Sequence, residues 1–137
     1  MTEPSVAVQA ALHARLIADP AVTALIPAEN ISDRSTAPNV FPSIIIGEGV
    51  TLYSDCYSSF HESVSATVHV WTAEPGLVQA KQIAGAVRAA LREAPWTIAG
   101  HVCHGITLSS GRFMRDPDGE HGHAVLHVDA ILQERAA

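Results

Sequence analysis

The spacing of apolar residues predicts both strands and helices along this chain. Ser63–Trp71 alternates strictly, with valines and alanine on one face and mainly polar side chains on the other. This pattern is typical of a strand with one face in the core, and Gly122–Leu132 repeats it. Between them, the apolar residues of Gly76–Glu93 recur at intervals of three and four, which predicts a helix. Pro75 opens this helix and Ala94-Pro95 ends it.

The N-terminal third is predicted to be helical. Ser5–Ala18 forms the first helix, which Asp19-Pro20 stops, and Ala21–Ile26 forms a short second turn. Between Val6 and Ile17 the only polar side chains belong to Gln9, His13 and Arg15. A helix that is apolar almost all round needs more cover than one core contact supplies.

The remaining segments are weaker signals. Ile31–Asn39 is predicted to be a loop, whereas Phe41–Gly47 has the β-branched residues of a buried strand. Glu48–Phe60 is compatible with a long hairpin or with a loop, and both interpretations stay open. Trp96–Ile98 is predicted to be a short strand and His101–Leu108 a longer one.

The order of elements is therefore α, short α, β, β, long α, β, β. It predicts an α+β fold in a single domain over residues 1–137. A mostly antiparallel sheet carries one long and one shorter helix on one face. The predicted core contains Ile83, Val87, Leu91, Val68, Val70 and Leu126.

Composition adds a hint of assembly. Only 16% of the residues are charged, against about 25% in a typical globular domain. Either the many alanines account for this, or neighbouring subunits hide part of the surface. The net charge of −6, with Lys81 as the single lysine, argues against a basic surface that grips nucleic acid.

The termini and cysteines indicate a cytoplasmic origin. No apolar run is long enough for a membrane span, and the N-terminus lacks the pattern of a signal peptide. Cys56 and Cys103 lie far apart in different kinds of segment, so they are expected to be reduced thiols.

Candidate chemistry is sparse. His101 and Cys103 alternate on one predicted strand, and with His127 or His123 they could seat a zinc ion of a small hydrolase, with Glu120 as its base. Their spacing matches no known zinc pattern, so we predict neither a metal site, nor a cofactor, nor an active site. The cationic stripe of the long helix, Lys81, Arg88 and Arg92, is predicted to be a solvated face.

A turn closes the chain's last hairpin. Asp116-Pro117-Asp118-Gly119 has proline and glycine where a type I turn prefers them. The two aspartates are expected to cap backbone amides there.

The succession of these pieces resembles the tail-completion, or tail-terminator, proteins of long-tailed phages and of gene transfer agents. The resemblance covers nearly the whole chain and departs from the family mainly at residues 55–61. It is carried by Ala18-Asp19-Pro20-Ala21-Val22-Thr23-Ala24-Leu25, Phe41-Pro42-Ser43-Ile44-Ile45-Ile46-Gly47-Glu48, His69-Val70-Trp71, the helix Ala80–Leu91, Ala94-Pro95, Gly100-His101, Arg115-Asp116-Pro117-Asp118-Gly119 and His123-Ala124-Val125-Leu126.

The resemblance implies a structural role without catalysis. Members are small α+β subunits that form a ring, usually hexameric, on the head-proximal end of the tail tube. The implied partners are further copies of the chain, the tail-tube protein and the head–tail connector or stopper. DNA would pass through the ring without specific binding, in a particle assembled in the bacterial cytoplasm. A head-side adaptor or stopper of the same particle remains an alternative.

Exposed loops on a rigid sheet are the expected contact points. We predict interface residues in the turn and in the segment Glu48–Phe60: Asp55, Tyr57, Phe60, Asp116, Asp118 and Gly119.

Overall fold

The computed structural model of the chain describes residues 3–33, 40–55, 60–74 and 76–134. A short 3-10 turn, Ala28–Asn30, precedes the first strand. The elements are α1 (Pro4–Ala18), α2 (Pro20–Thr23), β1 (Ile31–Asp33), β2 (Ser43–Asp55), β3 (Phe60–Thr72), α3 (Val78–Arg92), β4 (His101–Arg115) and β5 (Gly122–Glu134).

The five strands form one sheet in the order β1-β2-β3-β5-β4. Only the pair β1 and β2 is parallel; the other pairs are antiparallel. Side chains of α1, α2 and α3 pack with one face of this sheet into a single apolar cluster. All six predicted core residues lie in that cluster, and each is at most 2% exposed. The α+β prediction and the mostly antiparallel sheet are thus confirmed.

Arg15 fastens α1 to the end of α3. Its guanidinium donates hydrogen bonds to the carbonyl oxygens of Ala90 (2.9 Å), Glu93 (2.7 Å) and Pro95 (2.8 Å). The same group lies 3.7 Å from the centre of the Trp96 ring. Carbonyls in the last turn of a helix have no partner within it, so a cation placed there satisfies them and opposes the helix dipole.

A β-bulge changes the phase of β2. Ile46 pairs with Val68, but Gly49 pairs with Ala66, so β2 has one extra residue at this point. Because side chains alternate along a strand, an extra residue exchanges the two faces beyond it. Ile44 and Ile46 therefore face the helices before the bulge, whereas Thr51 and Tyr53 take that side after it.

Several predicted boundaries were wrong. The start of the predicted loop Ile31–Asn39 is strand β1, which three residues form by pairing with Ile44–Ile46. Trp96–Ile98 is no strand: Ile98 makes one isolated bridge to His101 around Gly100, whose φ is +76°. Trp96 instead packs on Arg15.

The helices and the long strands also differ from the prediction in length. The helix expected to open at Pro75 begins at Val78, and α1 and α3 have 15 residues each, so neither is the longer. β2 begins at Ser43 and runs through the undecided segment to Asp55, as half of a long hairpin. β4 continues past Leu108 to Arg115, because β5 pairs with it over that whole length.

No helix in the described parts of the chain is long and apolar enough to cross a membrane. The outer side of α1 keeps some of its apolar surface in water. Val6 is 59% exposed and Ile17 38% exposed, whereas Leu12 and Leu16 are fully buried. The predicted need of this helix for more cover than its own core provides agrees with that exposure.

Candidate subunit interface

The sheet has a second face, on which none of the described helices packs. We call it the open face. Along β3 it carries His61, Ser63, Ser65, Thr67, His69 and Trp71, whose neighbours on β2, β5 and β4 follow from the pairing. A sheet face left without a covering layer is available to another molecule.

Four apolar side chains are exposed at one end of the open face. Val50 is 57% exposed, Leu52 65%, Ile131 55% and Val102 40%. Leu52 and Ile131 both pair with Ser63, one from each side. Val50 pairs with Ser65, two residues further along β3, and Val102 lies two strands from His61 in the opposite direction. We call these four residues the apolar strip. Their clustering, more than the exposure of any one of them, indicates a surface that another subunit covers.

The apolar strip borders a long hairpin. Residues 49–55 of β2 pair with residues 60–66 of β3, and we call this hairpin the arm. Asp55 and Phe60, two of the predicted interface residues, are the last paired residues of the arm. Tyr57, predicted to join them, lies outside the described residues.

The arm is fixed to α1 through Glu3. The hydroxyls of Thr51 and Tyr53 donate to the Glu3 carboxylate at 2.9 and 2.6 Å. The same carboxylate accepts a bond from the backbone N–H of Ser5 and so caps α1. The Tyr53 hydrogen bond is the main reason that the pKa of Glu3 lies below its usual value. One ionised carboxylate therefore connects the arm to the helix layer.

The predicted turn of residues 116–119 is present and tightly bonded. The N–H of Gly119 donates to the Asp116 carbonyl at 2.8 Å, and the Asp116 N–H donates to the His121 carbonyl at 2.8 Å. Gly119 has φ +74°, which glycine adopts at little cost. The Asp118 carboxylate accepts from the N–H groups of Glu120 (2.8 Å) and His121 (3.3 Å), so its capping role is confirmed.

Three ionisable groups meet in this turn. Potential metal-binding atoms of Asp116, Asp118 and His121 all lie within 4.8 Å of one another. The hydrogen bond from the backbone N–H of Glu120, followed by the one from the His121 side chain, lowers the pKa of Asp118. Partial burial, followed by the negative charge of Asp118, raises the pKa of Asp116. His121 Nδ1 already bonds to Asp118 at 2.7 Å. The hydrogen bonds within the turn therefore explain why the side chains of Asp116, Asp118 and His121 lie so close together.

A histidine cluster fills the other end of the open face. His69 Nδ1 and His123 Nε2 are 2.9 Å apart, and the Trp71 ring stacks on His123 at 3.8 Å between centres. His69 Nε2 lies 3.2 Å from a carboxylate oxygen of Glu48. Burial and the charge of His69 lower the pKa of His123 to about 4. The sequence did not reveal this cluster, because its members are brought together only by strand pairing.

The zinc interpretation is not supported. His101 pairs with Glu134 at one end of β5, whereas His127 pairs with Ser110, seven residues away along that strand. At about 3.4 Å per residue they are roughly 24 Å apart. Cys103 is a free thiol whose pKa burial raises, which disfavours the thiolate that zinc binds. His101 is buried, with Nδ1 at 2.9 Å from the Ala99 carbonyl.

Comparison with known proteins agrees with the architecture. A protein from a solved structure described as the virion of a native gene transfer agent particle has the same fold, with a TM-score of 0.85. It is 20% identical in sequence, and the match covers 97% of this chain and 99% of that one. No curated protein sequence matches this chain significantly. The sequence profile of the family described as tail completion protein gp17 matches residues 10–133. Since that match spans most of the chain, the protein belongs to the tail-completion protein family.

Proposed function

We propose that this protein is a structural subunit that completes the tail of a phage or gene-transfer-agent particle. The observation that carries the proposal is the family match over residues 10–133. The fold shared with a protein of a gene transfer agent virion supports it. In this role the chain forms a ring, most simply of six copies, at the head-proximal end of the tail tube and ends tube growth.

The proposed partners follow from that position. They are further copies of the chain, the tail-tube protein below and the head connector or stopper above. The apolar strip and the exposed side of α1 supply surface for such contacts. The proposed contact residues are Asp55 and Phe60 at the end of the arm, Tyr57 between them in sequence, and Asp116, Asp118 and Gly119 in the turn.

DNA passes the proposed ring without being held. The chain has 14 acidic residues against eight lysines and arginines. Walls with such a balance repel phosphates more than they bind them, so DNA can slide through. No catalytic step is part of the proposal.

The test removes this chain from cells that otherwise produce the whole particle. We expect tails of uncontrolled length and heads without joined tails by electron microscopy, and normal particles when the chain is returned. A labelled copy should appear between head and tail tube. Tails of normal length in the deletion strain, or a label within the head vertex, would refute the assignment; the second result would favour a head-side adaptor.

A further inference from the structure

A groove between α3 and β4 differs in charge from the rest of this acidic chain. It has a volume of about 340 Å³, and Lys81, Gly85 and Arg88 form its helical wall. The opposite wall is residues 108–111 of β4, and Phe113 and Leu126 contribute apolar surface. Two of the chain's eight lysines and arginines therefore border this one groove.

The cations of this groove have no acidic partner in the described part of the chain. Lys81 lies 5.8 Å from the centre of the Phe113 ring and forms no ion pair there, nor does Arg88. They are seven residues apart on α3, which corresponds to two helical turns and about 10.5 Å. Arg92 continues the same stripe. A groove with this rim attracts a carboxylate-bearing segment.

Gly85 gives a second and independent indication. It lies inside α3, where glycine destabilises a helix relative to alanine. A Cβ at this position would meet no atom within 4 Å, so packing within the described chain does not require glycine. Gly85 weakens the helix and leaves this part of the groove wall without a side chain. Both features are explained if another molecule approaches the helix backbone closely at Gly85.

The chain itself offers a matching segment. The turn after β4 carries Asp116, Asp118 and Glu120 within five residues, and Asp118 and Glu120 are exposed. Its backbone is held by the bonds described above, so little conformational freedom is lost when it docks. The three carboxylates of this hydrogen-bonded turn are opposite in charge to Lys81, Arg88 and Arg92.

We infer that the acidic turn of one copy docks into the α3–β4 groove of the next copy. The inference rests on the ring of the proposed function. A contact between two different surfaces repeats around a ring until it closes, which is what a head-to-tail assembly requires. The turn supplies carboxylates to Lys81 and Arg88, and the bare helix wall at Gly85 lets it approach.

Charge reversal on each side tests the inference. Arg88→Glu changes the groove, and Glu120→Arg changes the turn without touching the Asp118 cap. We expect each variant alone to self-associate about tenfold or more weakly than the wild type in sedimentation experiments. An equimolar mixture of the two should associate again, because alternating copies restore a pair of opposite charges at every junction. Arg112→Glu, the same change at an exposed position of β4 that lies outside both the groove and the apolar strip, should behave like the wild type.

Gly85→Ala separates folding from assembly. The added methyl group should raise the melting temperature by about 3 °C and weaken self-association at the same time. If Gly85 had no role in assembly, the substitution would raise the melting temperature without weakening self-association. Unchanged association in Arg88→Glu and Gly85→Ala would overturn the inference, and so would a mixture that fails to associate.

Two further outcomes distinguish this inference from the proposed function. If the wild-type chain remains monomeric at every concentration, the inference is overturned, while the particle experiment still decides the proposed function. If Arg88→Glu prevents incorporation into particles but leaves self-association intact, the groove binds a different protein and the second copy is excluded.

Discussion

The helix-covered face and the open face are built from the same strands but are packed to different degrees. On the covered face, Val68, Val70 and Leu126 are at most 1% exposed. On the open face, Leu52 and Ile131 remain more than half exposed, one strand away on either side of Ser63. Packing within one chain thus completes the first face, whereas the second has apolar side chains that this chain alone leaves in water.

The difference between the faces predicts how each tolerates charge. Val87→Asp places an unpaired carboxylate in the core and should destabilise folding by about 4 kcal/mol or more. We expect the variant to be insoluble or unfolded by circular dichroism. Leu52→Asp, the matched change on the apolar strip, should alter the free energy of unfolding by about 0.5 kcal/mol or less. A folded Val87→Asp protein would show that the buried side of α3, which packs on the covered face, is wrongly assigned.

The histidine cluster predicts how acid affects the open face. His123 has a pKa of about 4 when folded, against about 6.5 when unfolded. As pH falls from about 6.5 towards 4, the unfolded chain takes up this proton first, so stability declines over that range. Allowing for partial exposure, the loss attributable to His123 should be about 1–2 kcal/mol.

The measurement is the free energy of unfolding in urea at several pH values. His123→Asn should flatten the slope between pH 6.5 and 4, since Glu48 and His69 remain but the low-pKa ring is gone. His127→Asn, a substitution of an exposed histidine on the same strand, should keep the wild-type slope. Equal slopes for the wild type and His123→Asn would contradict the assignment of this pH dependence to His123.

A smaller loss of stability is expected from removing the Arg15 contacts, which hold α1 to the end of α3 in the helix-covered part of the molecule. Arg15→Ala removes three hydrogen bonds to carbonyls at the end of α3 and the stacking on Trp96. We expect it to cost about 1–1.5 kcal/mol in urea unfolding, with Arg15→Lys recovering part of the loss. Arg92→Ala, which removes an exposed cation from the same end of α3, should cost about 0.5 kcal/mol or less. Equal costs would mean that the Arg15 bonds contribute nothing specific.

The sequence predicted the long, regularly alternating elements best. β3 and α3 have uninterrupted periods, so their existence, their buried faces and the core residues Val68 and Val87 followed directly. β1 was missed because three residues are too few to show an alternating pattern of apolar and polar side chains. Only their pairing with β2 makes them a strand. The arm stayed ambiguous because the bulge shifts the alternation by one residue after Ile46.

The interface was predicted less completely than the fold. Proline and glycine at fixed positions predicted the turn of residues 116–119. The His69–His123 pair and the α3–β4 groove join segments that are distant in sequence, so no local pattern could indicate them. Gly85 was a visible signal, since glycine is uncommon inside an otherwise favourable helix, but its neighbours were unknown until the fold was.

The bulge in β2 keeps the arm in phase with the rest of the sheet. Residues 60–66 of β3 pair with β5 as well as with β2, and Val64 is buried, so this part of the hairpin cannot change its register independently. If β2 ran on past Ile46 without a bulge, Leu52 would pair with Glu62 and turn inward, while Tyr53 turned outward. Deleting one residue between Ile46 and Gly49 is therefore expected to leave Leu52 on the open face, because it removes the extra residue and keeps every later pair.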